Sequence, residues 1–326
     1  MKAFITGGGG FLGKHIVRQL LDEGHEVTSY SRSFYPELEK WGVKSIRGDL
    51  SNSSLLESSS KDHDVFFHTA SKVAMWGREK DFYQTNVIGT ENVLRACQKN
   101  KISSLIYTST PSVVFGDSSV KGGNESLPYP KKSYSRYAKS KAIAEEKVIK
   151  ANDENIKTVC LRPHLIFGPG DQNLIPKILA AHKLGKLKIV GNGENKVDVL
   201  YVENAAKAHI LAWKALLNKP QIVGGKAYFL GQGPVKLWEF INKIIKKHNL
   251  PPVEKKIPFK VAFRLGGLIE FFSQMIGKFN YHPPMTRFVA LQLSHDHYFN
   301  HSNAKKDLGW IPEIDLDEGL EKLKIS

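Results

Sequence analysis

The sequence predicts an α/β protein, a doubly wound parallel sheet with a smaller, mostly helical C-terminal cap. Three observations predict it. Short β-branched or aromatic runs alternate with helical stretches from residue 1 to about 165, the pattern of a parallel sheet covered on both faces. The first run passes straight into the glycine-rich segment Thr6-Gly7-Gly8-Gly9-Gly10-Phe11-Leu12-Gly13. Beyond residue 165 the alternation gives way to stretches punctuated by Gly168-Pro169-Gly170, Gly191-Asn192-Gly193 and Gly231-Gln232-Gly233.

In order, the strands are expected at Lys2–Thr6, Glu26–Tyr30, Lys44–Arg47, Asp64–His68, Ser104–Thr108 and Lys157–Leu161, with helices starting near Phe11, Ser53, Phe82 and Ser133. Six such strands make a Rossmann sheet, which binds its ligand at the carboxyl ends of the strands. The division expected is a nucleotide-binding domain over 1–165, rejoined by a returning strand near 226–230, and a substrate-binding cap over 166–326, partly interleaved with it. Residues 261–279 are apolar with few charges. They read as a buried cap helix, a lid over an apolar substrate or a surface anchor for anionic lipid, with the buried reading preferred.

An apolar fraction of 41% and a charged fraction of 24% describe an ordinary globular chain. Cys97 and Cys160 are too few for a disulfide framework and read as reduced core thiols. The apolar run before the glycines is too short for a signal peptide, and no stretch reaches the ~18 residues of a spanning helix. A cytoplasmic location, with room for peripheral membrane association, is therefore expected. The net charge of +15 invites anionic partners. Its lysines are spread in pairs without interleaved aromatic residues, so nucleic acid is not an expected partner.

Gly7 permits a tight turn, Gly10 lets backbone approach a pyrophosphate, and Gly13 lets helix and sheet pack closely. The amides opening the helix at Phe11 and Leu12 face the anion. At the end of the second strand, where an acid would hold an unmodified ribose, stands Tyr30-Ser31-Arg32-Ser33. Ser31 can donate to a 2′-phosphate and Arg32 can pair with it, so NADP(H) is preferred and NAD(H) remains an alternative. Asp49, followed by Leu50, either accepts from the adenine amino group or caps its own turn.

The helix opened by Ser133-Tyr134-Ser135-Arg136 places Tyr137 and Lys141 four residues apart on one face. A phenol titrates near pH ~10 and needs a nearby cation to exchange protons at neutral pH. Upstream, the strand ending in Thr108-Ser109-Thr110-Pro111-Ser112 brings hydroxyls to the carboxyl edge of the sheet.

These segments, with His68-Thr69-Ala70, Asn86-Val87-Ile88-Gly89-Thr90 and Leu161-Arg162-Pro163-His164, resemble the extended short-chain dehydrogenase/reductase family over nearly the whole chain. The resemblance implies Tyr137 as acid/base, Lys141 as its activator and ribose ligand, and Thr110 as the hydroxyl partner, with Ser109 and Ser112 as rivals. It adds Leu50, Ala70 and Pro163 to the cofactor-binding set. Thr110-Pro111-Ser112-Val113-Val114-Phe115 and Arg162-Pro163-His164 look most like the 3β-hydroxysteroid dehydrogenase branch, which includes sterol-4α-carboxylate 3-dehydrogenases and bacterial 2-alkyl-3-oxoalkanoate reductases. That branch implies oxidoreduction between a 3-oxo and a 3-hydroxy group on a small apolar or amphiphilic substrate, with Ser112 and His164 as substrate candidates. The alternatives are a nucleotide-sugar epimerase or dehydratase with tightly held NAD, and a non-catalytic NADP-sensing or nucleic-acid-binding protein. Relatives of this kind often form a homodimer through helices such as 82–99 and 133–151. The run His295-Asp296-His297-Tyr298-Phe299-Asn300-His301 reads as exposed polar positions, and no metal is expected.

Overall fold

The computed structural model describes residues 1–323. Seven strands, β1 (Lys2–Thr6), β2 (Glu26–Ser31), β3 (Lys44–Arg47), β4 (Val65–His68), β5 (Ser104–Thr108), β6 (Lys157–Pro163) and β7 (Lys226–Leu230), form one sheet in the order β7-β6-β5-β4-β1-β2-β3. Every neighbouring pair is parallel. The order reverses between β1 and β4, which opens a crevice at their carboxyl ends.

Both faces of the sheet are covered, as its runs of buried Val, Ile, Leu and Phe require. On one face, Ile16, Val17 and Leu20 of the Phe11–Asp22 helix and Trp213 of the Val202–Asn218 helix pack against Ile5, Phe67 and Ile106. On the other, Val93 and Cys97 of the Gly89–Asn100 helix and Ala144 and Val148 of the Arg136–Lys150 helix pack against Phe4, Phe66 and Leu105.

The division of the chain is more interleaved than a boundary at 165 implies. The 202–218 helix, β7 and the Ala304–Trp310 segment all join the nucleotide-domain core. A second core, built on Phe167, Tyr201, Trp238, Phe240 and Ile241, belongs to the cap. Both cysteines are buried and unpaired, and burial pushes both thiols up.

The apolar stretch 261–279 departs from the preferred buried reading. It forms the helix Phe259–Met275, of which only Ala262, Gly266, Glu270 and Ser273 are buried. Phe259 and Phe263 are half-buried against the cap core, but Leu265, Leu268, Phe271, Phe272 and Met275 are exposed. No helix among the described residues is long and apolar enough to cross a membrane.

Candidate active site

The glycine loop turns at Gly7, whose φ of +74° favours glycine. A Cβ on Gly13 would stand 2.1 Å from the Gly7 carbonyl oxygen, so only glycine lets the helix begin this close to the strand. Gly10 occupies the N-cap of the Phe11–Asp22 helix and no side chain caps it, which leaves the opening amides of Phe11 and Leu12 for an anion. Ala70 sits against this turn, since a Cβ on Gly7 would lie 3.0 Å from the Ala70 amide nitrogen. Leu50 is buried nearby in the sheet's core.

Ser31 ends β2, and its buried hydroxyl has no partner among the described residues. Arg32 is exposed. Opposite Ser31 in the sheet register stands Arg47, whose Nε donates to the Arg32 carbonyl oxygen at 3.1 Å. Two guanidinium groups therefore flank the end of β2, and the second was not among the residues singled out from the sequence. Its only signal was a basic residue closing the third strand. Asp49 is committed to its own turn: Oδ1 accepts from the Ser51 amide at 2.9 Å and hydroxyl at 2.7 Å, and these bonds hold its carboxyl below the usual range. An uncapped helix start and a loop free of Cβ atoms fit the pyrophosphate of a dinucleotide.

The residues expected to react lie about the carboxyl end of β5. Ser135 caps the next helix by accepting from the Ala138 amide at 3.1 Å, so the helix begins at Arg136 and presents Tyr137 and Lys141 on one face. Lys141 is buried, and its Nζ donates to the Thr108 carbonyl oxygen at 2.6 Å and stands 4.0 Å from the centroid of the Tyr107 ring. Burial lowers its ammonium to about 7, opposed by the Glu145 carboxylate. Burial raises Tyr137 to about 12, opposed by the nearby Thr110 hydroxyl. Thr110 thus faces the phenol. Its Oγ1 accepts from the Ser112 amide at 3.2 Å and donates to Ser112 Oγ at 3.3 Å. The Ser109 hydroxyl is buried without a partner, and Ser112 lies one hydrogen bond behind Thr110.

Asn86 fastens this helix in place. It sits on a π-helical turn, Tyr83–Ile88, where its Oδ1 accepts from the Lys72 amide at 2.7 Å and its Nδ2 donates to Ser140 Oγ at 2.9 Å. Beneath it His68 is buried between Thr6 and Thr90, and burial drives it to about 3, so it stays neutral.

Pro163 ends β6, but His164 turns away from the open crevice. It is buried, and its Nε2 meets His297 Nδ1 at 2.6 Å, while His297 Nε2 donates to the Gln292 carbonyl oxygen at 2.8 Å. Contrary to the exposed polar reading of the 295–301 run, His297 is buried and His301 is bonded to the buried Asp198 at 3.0 Å. Among the described residues no three His, Cys, Asp or Glu side chains gather as a metal site.

A cleft of about 820 Å³ borders Tyr129, Arg162 and β7 and contains neither Tyr137 nor the glycine loop. A smaller cleft of about 280 Å³ opens beside the catalytic helix start, between Tyr134–Arg136 and Glu270, Gln274 and Arg287.

Residues 4–261 match the 3-beta hydroxysteroid dehydrogenase/isomerase family. The chain is 43% identical to a 2-alkyl-3-oxoalkanoate reductase of Stenotrophomonas maltophilia, covering 100% of this chain and 99% of that protein. It is 34% identical to the mouse (Mus musculus) sterol-4-alpha-carboxylate 3-dehydrogenase, decarboxylating, covering 98% and 89%. In fold it resembles the UDP-glucuronic acid 4-epimerase of Bacillus cereus solved with NAD, with a TM-score of 0.75 at 21% identity over 99% of this chain and 97% of that one.

Proposed function

The chain belongs to the 3-beta hydroxysteroid dehydrogenase/isomerase family, and from that premise we propose that it is an NADPH-dependent reductase of 3-oxo groups on amphiphilic carboxylates, with 2-alkyl-3-oxoalkanoates as the substrate class. The observation that supports this reading is that the helix carrying Tyr137 and Lys141 on one face is tied by Lys141 to the Thr108 carbonyl at the carboxyl end of β5, next to Thr110.

When bound, the nicotinamide supplies the hydride that reaches the 3-oxo carbon. Tyr137 donates its phenolic proton to the carbonyl oxygen, completing the alcohol. Thr110 orients that oxygen and stabilises the phenolate left on Tyr137. Lys141 lends positive charge to the same phenolate and would hold the nicotinamide ribose. The amides at Phe11 and Leu12 would take the pyrophosphate, with Ala70 and Pro163 lining the path between.

The preference for NADPH is supported by the unpartnered Ser31 hydroxyl and by Arg32 and Arg47. No acid ends β2, and the Asp49 carboxylate is engaged with Ser51. Relatives named as acting on a sterol carboxylate and on an alkyl-oxo acid support a substrate that joins an apolar body to a carboxylate.

A panel of a 2-alkyl-3-oxo acid, a 3-oxosteroid and a UDP-sugar, each with NADPH and with NADH, tests the reading. Oxidation of NADPH with the alkyl-oxo acid is expected. Conversion of the UDP-sugar alone, without added cofactor, would establish an epimerase instead.

A further inference from the structure

The Phe259–Met275 helix is packed the wrong way round for a soluble surface helix. At 100° per residue, Ala262, Gly266, Glu270 and Ser273 share one face, and that face is buried. Val261, Leu265, Leu268, Phe272, Met275 and the following Ile276 form a stripe roughly a third of a turn round from it and are exposed, Met275 by 68% and Ile276 by 71%. An amphipathic helix normally does the reverse.

Two contacts impose this orientation. A Cβ on Gly266 would lie 2.6 Å from the Thr286 carbonyl carbon and 2.7 Å from the Arg287 amide nitrogen, so the helix rests directly on that backbone. Glu270 accepts from the Arg287 amide at 2.8 Å and from its Nε at 2.7 Å. The greasy face cannot rotate inward without breaking both.

The charge around the exposed face has one sign. Between residues 255 and 287 stand Lys255, Lys256, Lys260, Arg264, Lys278 and Arg287, against Glu270 alone. Glu270 is buried on Arg287. Lys260, Arg264 and Lys278 are exposed, and Arg264 borders the apolar stripe. At the helix's far end, Trp76 donates to the Lys278 carbonyl oxygen at 3.0 Å and stacks on Phe279.

We propose that this face docks the protein on an anionic lipid bilayer, with the apolar stripe in the acyl boundary and the flanking cations at the headgroups. The cleft beside Tyr134–Arg136 borders the Glu270 and Gln274 side of this helix and not the stripe, and the docking stands apart from the assigned reaction.

Flotation of the full chain with vesicles of equal parts phosphatidylcholine and phosphatidylglycerol, and with pure phosphatidylcholine, tests the docking. Binding to the anionic vesicles is expected, weaker on the neutral ones and weakened by salt. The triple variant Leu268→Ser, Phe272→Ser, Met275→Ser should lose about tenfold or more of the partition coefficient. The charge reversal Lys260→Glu, Arg264→Glu, made at exposed positions that leave the fold intact, should lose anionic selectivity. Wild-type protein that floats with neither vesicle, or floats equally with both variants, overturns the proposal. So does a dimer in light scattering that the triple variant converts to monomer, since the stripe would then be covered by a second copy.

Discussion

Lys141 donates to the Thr108 carbonyl oxygen at 2.6 Å, tying the helix that carries the phenol to the end of the strand that carries the hydroxyls. That bond fixes the ammonium where burial lowers it to about 7. Lys141 is charged below that pH and loses its charge above it.

It follows that kcat/KM for NADPH should fall by about tenfold per pH unit above pH ~7, because the free enzyme loses the cation that holds the ribose. Lys141→Arg keeps the charge and should remove that limb while lowering the plateau. A wild-type profile that stays flat between pH ~6 and ~9 would count against the role given to Lys141.

Arg162 and Glu145 form a buried two-pronged pair, with Nε to Oε2 at 3.0 Å and Nη2 to Oε1 at 2.6 Å, and Tyr129 adds its hydroxyl at 2.8 Å. Arg162→Met strands the carboxylate and should destabilise the fold by about 3 to 5 kcal/mol. Arg162→Met with Glu145→Leu should recover part of that loss. Chemical denaturation measures both, and an unchanged midpoint in the single variant would show that the pair contributes nothing.

Arg47→Ala should raise KM for NADPH by about tenfold and leave KM for NADH within about twofold, because the proposed phosphate site would lose the guanidinium that stands opposite Ser31. Equal effects on the two cofactors would remove Arg47 from the phosphate site.

Burial lowers His68 to about 3, His209 and His297 to about 4, and His164 well below its ordinary value. The unfolded chain binds these protons once pH falls below ~6.5, while the folded chain refuses them. Stability is therefore complete above that pH and is lost as pH falls toward 4, each such histidine costing about 1.4 kcal/mol at pH ~5.5. Thermal unfolding should occur several degrees lower at pH ~5.5 than at ~7.5. An equal or higher midpoint at the lower pH would contradict neutral buried histidines.

Much of this was legible in the sequence because it is local. β1, β3, β5 and β7 run between the residues their apolar patterns mark, and the glycine loop and the Tyr137/Lys141 spacing are short-range signals. What escaped depends on contacts between distant segments. Periodicity marks the 259–275 helix as two-faced, but Thr286 and Arg287 decide which face is buried. His297 engages His164 from 133 residues away, and Arg47 gains its meaning only from standing opposite Ser31 in the register.

The central claim is that Tyr137 delivers the proton to the reduced carbonyl. Tyr137→Phe removes one oxygen and leaves Lys141, Thr110 and the glycine loop in place. Single-turnover NADPH oxidation with a 2-alkyl-3-oxo acid, measured beside NADPH binding by fluorescence, tests it most directly. The account predicts a loss of about 10²- to 10⁴-fold in rate with binding preserved; a variant that turns over at near wild-type rate would contradict it.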